Sequence, residues 1–518
     1  MTYKTLKYTA ILAVTALVVM GTSCRKDFDF KPSTGNLEFS KDTVFLDTVF
    51  ANIGSSTYSL KVYNNSNDDI KIPSIGLRNG LESNYRLNVD GAAGKEFENV
   101  PLLAKDSLFI FIEITTPLED VNENEFLYTD AIEFASSNTA QQVELVTLIK
   151  DAIFLYPRTL SNGTTETLLL GLDEEGNEIR IEGFFLEDDE LDFSNEKPYV
   201  IYGYAAVPNE RTANFQAGAR VHFHKGSGIL VSPDGSIQIN GALSMDQEVL
   251  ENEVIFEGDR LEPEFANIPG QWGTIWFARG STNNQINYLT IKNATIGLFV
   301  EGDGDFDNPN LQIGNSQIYN SLNSNLRTRT AKIDAENLVL GGAGFASAVL
   351  GLGGDYSFNH TTIANYWQNG FRNTPSLIIT NSEENSQNQV ITSDLVNASF
   401  SNTIIDGNRR IELGLLKNDD AMFQYNFDTC TIKFNDTGNE FNGNPLYDFD
   451  NTVFFESIFL NGETAFQNTP ENDFSLLPNS IAVDNGNIQF SQFSPLDILG
   501  VNRENLPDIG AYEYSTEN

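Results

Sequence analysis

The sequence predicts an all-β fold in which an Ig-like β-sandwich is followed by a right-handed parallel β-helix solenoid. Three observations carry this. A marker residue recurs at near-constant spacing in the second half: Asn293, Asn315, Asn337, His360, Asn381, Asn402 and Thr429, at intervals of 22, 22, 23, 21, 21 and 27. A fixed period of this size marks a solenoid whose repeats bury their apolar faces only against their neighbours. Around the markers, apolar residues alternate with period two, as in Leu289/Ile291, Leu311/Ile313, Tyr356/Phe358 and Tyr425/Phe427, which is a strand pattern. Composition agrees: aromatic residues make up 11% and there are 40 Gly, as many-turned β proteins require. Marker amides in successive coils would form an internal ladder, or serve as turn formers; both roles are structural.

At the amino terminus, Lys4 and Lys7 precede an apolar run from Tyr8 to Met20 that is too short to span a membrane comfortably and has the layout of an export signal. Residues 25–36 read as a tether. Over 37–150, short strands recur at sandwich spacing: Val44–Val49, Tyr58–Val62, Ile70–Ile75, Tyr85–Val89, Leu108–Ile114, Ile132–Phe134 and Val143–Ile149. Leu108–Ile114 is apolar on both faces, as a central strand between two packed layers would be. This region would act as a spacer or as a cap on the first coil. Residues 151–198 read as a connecting β segment, 199–440 as the β-helix, and 441–518 as final coils and a cap, which an open solenoid end needs.

Charge bounds the function. With 72 acidic and 31 basic residues the net charge is −41, which repels nucleic acid. The two cysteines, Cys24 and Cys430, lie too far apart in sequence for a disulfide framework. Cys430 sits at a small-residue position of its coil and reads as a buried thiol.

Candidate chemistry is sparse. Asp303, Asp305 and Asp307 alternate along a loop with Gly302 and Gly304; that spacing fits oxygen ligands for Ca²⁺, the one cofactor suggested, although a solvated acidic loop is the plainer reading. His222 and His224 share a strand face without a third ligand nearby, and His360 reads as a wall residue in an Asn position. Glu257, Asp259, Arg260 and Glu262 form a mixed loop cluster that reads as ion pairing. Trp272, Trp276, Tyr366 and Trp367 are flat rings suited to stacking on sugars, or else to packing between coils. Trp272 and Trp276, four apart, share a face if their strand is regular.

Several segments resemble known families. Gly21-Thr22-Ser23-Cys24 resembles a bacterial lipoprotein lipobox, with Gly21 where Leu is usual; this implies lipidation at Cys24 and processing of residues 1–24. Arg25-Lys26-Asp27-Phe28-Asp29 is similar to the tag that sends Bacteroidetes lipoproteins to the cell surface. Residues 218–229, 269–277 and Leu506-Pro-Asp-Ile-Gly-Ala-Tyr-Glu513 resemble Bacteroidetes right-handed β-helix lipoproteins of the pectin-lyase-like group. The resemblance implies an outer-membrane, lipid-anchored and surface-exposed protein, with the membrane and polysaccharide as partners. It implies little about activity. The polygalacturonase-like series Asn-Thr-Asp, paired Asp, Gly-His-Gly and Arg-Ile-Lys is absent, since Arg410-Ile411 runs into Glu412. No Arg-x-Pro-x-x-Arg signature of pectate lyases occurs. The expectation is therefore a non-catalytic envelope protein that binds or displays toward extracellular glycan or another surface component. The alternatives are a polysaccharide lyase or glycosidase of the superfamily, and a structural envelope protein.

Overall fold

A computed structural model describes residues 29–117, 125–137, 139–172, 176–492 and 494–515. Cys24 and residues 1–24 lie outside them. The chain is nearly all β and divides into two compact units between Lys150 and Asp151.

In the first unit two sheets share one core. One sheet orders Lys31–Pro32, Ile70–Leu77, Glu125–Phe134, Gln141–Lys150 and Thr43–Phe50, with Glu96–Leu102 also on Ile70–Leu77. The other orders Glu38–Phe39, Tyr58–Tyr63, Ser107–Ile114, Tyr85–Val89 and Ala92–Gly94. Inward residues such as Val44, Leu60, Ile72, Ile110, Ile132 and Val143 are wholly buried. Two details differ from the sequence expectation. Glu96–Leu102 is an extra strand, hidden in sequence by its Pro and acidic residues. Ser107–Ile114 is central in its sheet but is not covered on both faces: Phe109 and Phe111 are 47% and 44% exposed, stacked on each other with Lys61 over Phe109.

The second unit holds one continuous sheet of 27 strands. Most strands pair in parallel with the third strand further along the chain, so three ladders run side by side. The covered ladder contains Tyr199–Ile201, Arg220–Phe223, Val254–Gly258 and Leu289–Lys292. The middle ladder contains Tyr204–Val207, Gly228–Val231, Ile275–Phe277 and Ile296–Glu301. The third contains Thr212–Gln216, Ser236–Asn240 and Asn284–Asn287, then Leu311–Gly314, Lys332–Glu336, Asp355–Asn359 and Ser399–Ser401. Pairing begins at Ile153–Leu155 and ends at Phe459–Leu460, wider than 199–440, because the parallel pairings added at either end cover only two or three residues each and leave little periodicity to read. Inward side chains stack rung on rung: Phe358, Phe400, Phe427 and Phe455 have successive ring centroids 5.1, 4.8 and 5.5 Å apart and interplanar angles of 10° or less. Alternation in sequence thus becomes a column of aromatic rings.

The marker residues resolve into different corners. Asn315, Asn337, His360, Asn402 and Thr429 occupy one corner, between the third and the covered ladder, and all have φ between 45° and 54°. A single left-handed residue turns the chain there, a conformation Asn tolerates well. Asn337 donates to Asn315 at 2.9 Å, and Asn402 Nδ2 lies 2.9 Å from His360 Nε2. Asn293 turns the next corner and accepts from Asn320, while Asn381 follows the middle-ladder strand Leu377–Thr380. One coil therefore runs from His360 to Asn402, enlarged by a loop and by the hairpin Ser382–Glu384/Val390–Thr392, and Asn381 stands in its middle. The even spacing there is a coincidence of insertion length.

The carboxy-terminal segment folds back over the covered ladder. Phe466, Phe474, Ile498, Ile509 and Tyr512 bury against Val339, Ala364 and Ile404. The residues Pro507–Glu513 act as a clamp. Asp508 accepts from the amides of Asp484 and Tyr514, Glu513 accepts from the Asp508 amide, and Arg503 pairs with Glu513. Gly510 donates to the Asn402 carbonyl with φ +104°; a Cβ there would lie 2.6 Å from Ile404 Cδ1.

Candidate functional site

Outward positions of the third ladder form two polar rows. One row runs Asp192, Asn214, Gln238, Gln285, Gln312, Asp334, Ser357, Ser399 and Asn426, each directly above the last. Two residues along each strand, the second row runs Gln216, Asn240, Asn287, Gly314, Glu336, Asn359, Ser401 and Asp428. Parallel strands lie about 4.8 Å apart and same-face residues about 6.6 Å apart along a strand. The surface is therefore a grid of amide, hydroxyl and carboxylate groups at fixed pitch.

Part of this grid lies in an open groove of about 830 Å³, within the size range of ligand sites. Its floor includes Gln285, Gln312, Asp334 and Glu336, and Phe490 of the carboxy-terminal segment lines it. Ser494 Oγ donates to Glu336 at 2.7 Å, and Asn359 donates to the Phe490 carbonyl and to Ser494 Oγ. Asn359 Oδ1 is buried and has no hydrogen-bond partner among the described residues. Burial pushes the Asp334 carboxyl up; Lys332 opposes this and Asp355 adds to it. Lys332 is held by Asp355 at 3.4 Å and by the Phe306 carbonyl at 2.7 Å.

The residues singled out in sequence fall elsewhere. Trp272 is 1% exposed, stacked on Phe223 at 4.3 Å, with its Nε1 on the Lys292 carbonyl. Trp276 lies on the opposite side of the middle ladder and donates to Glu301 at 2.8 Å. The two do not share a face, because Trp272 lies in the bend before the strand starts at Ile275. Trp367 is buried, and Tyr366 lines a separate cleft. None of these four rings lines the groove. Asp303, Asp305 and Asp307 are exposed, and two of them accept from the amide two residues on (Asp305 to Asp303, Asp307 to Asp305, both 3.0 Å). Among the described residues no group of three or more potential metal ligands comes together.

His222 belongs to a column of rungs with Glu257, Lys292 and Tyr319. Burial works against ionisation of Glu257, yet Lys292, at 3.2 Å, and His222 hold its carboxyl below the ordinary range. His224 Nδ1 lies 2.7 Å from Asp259, and that hydrogen bond raises its imidazole pKa against the cost of burial. Cys430 is wholly buried and its thiol is pushed up to about 12, unsuited to nucleophilic work.

His360 is wholly buried. Its Nδ1 faces the Gly510 carbonyl at 3.2 Å and so carries the proton; Nε2 accepts from Asn402 and from Ser491 Oγ at 2.9 Å. The ring is therefore neutral, and burial, followed by the nearby Arg503, holds its pKa well below the ordinary value. A histidine with a depressed folded pKa contributes stability that is present above its unfolded pKa of about 6.5 and is lost as pH falls toward the folded value. Compared with His360→Asn, the native chain should lose melting temperature more steeply between about pH 7 and pH 5. Parallel melting curves for the two proteins would contradict this assignment.

Of the groove residues Asp334, Glu336 and Asn359, the two carboxylates carry a sequence signal, since the alternation of Lys332-Ile-Asp-Ala-Glu336 places both on one outward face. No family model matches the chain, and no curated protein matches it. Solved structures give weak likenesses. The catalytic unit of a thermostable GH87 α-1,3-glucanase from Streptomyces thermodiastaticus strain HF3-3 aligns at 8% identity over 72% of this chain and 79% of that chain, with TM-score 0.22. A family 123 glycoside hydrolase from Clostridium perfringens aligns at 10% identity over 24% and 28%, with TM-score 0.17. The periplasmic chaperone SfaE aligns at 13% identity over 22% and 58%, with TM-score 0.16. The chain thus spans less than two thirds of the hydrolase from C. perfringens and of the chaperone. At these identities and TM-scores the likenesses carry no functional argument.

Proposed function

We propose that the second unit is a right-handed parallel β-helix, preceded by an Ig-like sandwich, that recognises extracellular glycan along its third ladder. The observation that supports this most is the groove itself. Amides donate and accept at once, matching hydroxyl-rich ligands, and Gln285, Gln312 and Asn287 present them at strand pitch. Screening the protein on a glycan microarray tests the proposal: binding to at least one glycan is expected, and no binding to any would remove it.

A second reading, hydrolysis, is favoured by one observation. Asp334 and Glu336 stand two residues apart on one face, about 6.6 Å between Cα atoms. Inverting glycosidases hold their two carboxyl groups about 6.5–9.5 Å apart to leave room for a water, and two carboxylates on one strand face supply such a pair. Asp334, whose carboxyl pKa burial raises, would act as acid, and Glu336 as base. The native chain should then release reducing ends from a bound glycan, and Asp334→Asn should lower that rate about a hundredfold or more. If no bound glycan is cleaved, the groove binds without catalysis.

For the amino terminus, we propose an export signal with lipidation at Cys24 and anchoring in an outer membrane, facing outward. A lipid tracer should label the native chain and leave Cys24→Ala unlabelled; equal labelling would contradict the anchor.

A further inference from the structure

Apart from the groove, with which it shares no lining residue, a turn after the strand Ile404–Gly407 carries Arg409 and Arg410 between two hollows of about 490 and 580 Å³. In a chain with 72 acidic and 31 basic residues, arginines have carboxylates close at hand, and Arg78, Arg329, Arg372 and Arg503 among others are paired. Arg409 and Arg410 form no ion pair among the described residues. Each guanidinium is anchored once, Arg409 on the Arg372 carbonyl and Arg410 on Thr437 Oγ1. A guanidinium has five donors, so most of this capacity faces outward.

The turn is built rather than loose. Arg372 and Glu412 form a buried pair, 2% and 0% exposed, at 2.7 Å. Glu412 accepts from the Arg409 amide at 2.7 Å, Arg372 donates to Asn408 Oδ1 at 2.7 Å, and Asn408 donates to the Trp367 carbonyl at 2.9 Å. Around the larger hollow stand Tyr366, Lys433 and Asn461. Lys433 is paired with the buried Asp406 at 3.2 Å; Glu440 and Glu463, both exposed, line the smaller and the larger hollow respectively.

We propose that this turn binds the anionic group of an acidic polysaccharide, a uronate carboxylate or a sulfate ester. Both are oxyanions that a guanidinium fork grips through paired N–H donors. The surrounding amides and the Tyr366 ring suit sugar hydroxyls and a sugar face. Because the net charge of −41 repels polyanions, two adjacent unpaired arginines on a rigid turn are what would let such a polymer dock. The proposal does not depend on the groove, which presents amides to neutral hydroxyls.

Binding of the full chain to polygalacturonate, to dextran sulfate and to neutral dextran, at low and raised salt, tests it. The native chain should bind one of the polyanions, more weakly as salt rises, and the preferred polymer distinguishes carboxylate from sulfate. Replacing both residues (Arg409→Ala with Arg410→Ala) should weaken binding roughly tenfold or more, and the double Lys replacement should restore only part of it. Should the double Ala variant melt early, Arg410→Gln serves instead, since Arg410 is exposed and anchored only to Thr437. Filling the groove with Gly314→Trp should leave polyanion binding unchanged, so failure of the groove and failure of this turn are separable. The proposal is overturned if neither polyanion binds the native chain, or if the arginine variants bind as the native chain does.

Discussion

Replacing Arg503 with alanine is expected to lower the unfolding free energy by about 3–5 kcal/mol, the cost of breaking a buried ion pair from one side. Arg503 is wholly buried in side chain and Glu513 is 9% exposed, so solvent offers little compensation. Beyond that pair, Arg503 donates to Asn337 Oδ1 at 3.0 Å and to the carbonyls of Gly510 and Ala511 at 3.2 Å. The substitution leaves the buried Glu513 carboxylate without its counter-charge and Asn337 Oδ1 without its donor, while the Gly510 and Ala511 carbonyls keep His360 Nδ1 and the Ile498 amide. The damage should be directional as well as large. Arg503 fastens the segment that covers Val339, Ala364 and Ile404, so proteolysis of the variant should begin after Leu460 while the stacked strands persist. Chemical denaturation with limited proteolysis checks both points. A loss below about 1 kcal/mol would mean that the clamp is not what secures the tail.

The second large effect is expected at Gly314. A Cβ there would meet Glu336 Cγ at 3.5 Å and Asn287 Oδ1 at 3.6 Å, ordinary contact distances, so the backbone at this position accepts a Cβ. Gly314 lies on the groove floor between Asn287 and Glu336. In Gly314→Trp the indole therefore occupies the space a sugar ring would take, with the core untouched. Loss of glycan affinity by about a hundredfold, or about 2.8 kcal/mol, is expected with little change in melting temperature. Titration of the glycan into each protein, with a melting curve as control, decides the matter.

How much of this was legible in sequence depended on whether the information was local. Period-two alternation gave the strands and the column of inward aromatic rings, because side-chain direction follows from backbone pleat alone. The corner markers were legible as turn-compatible residues, yet Asn293 and Asn381 were grouped with the others only because loop lengths happened to match. A regular strand would put Trp272 and Trp276 on one face, but the chain bends before the strand begins at Ile275. The distinctive Leu506–Glu513 ending could be seen, but its task could not: its partners Asn402, Thr362 and His360 lie more than a hundred residues earlier. The groove carboxylates stood in plain alternation, but only the registered stacking of coils shows Asp334 above Gln312 and Glu336 above Gly314. Loop chemistry was the least legible part, since alternate spacing of Asp303, Asp305 and Asp307 does not determine whether their turns converge.

The paired glycan microarray, native chain against Gly314→Trp, bears most directly on the central claim that the third ladder's outward grid is the glycan-binding surface. Signals on one or more glycans with the native chain, lost in the variant, are the predicted result. Signals that persist undiminished in the variant would place glycan recognition elsewhere and contradict the claim.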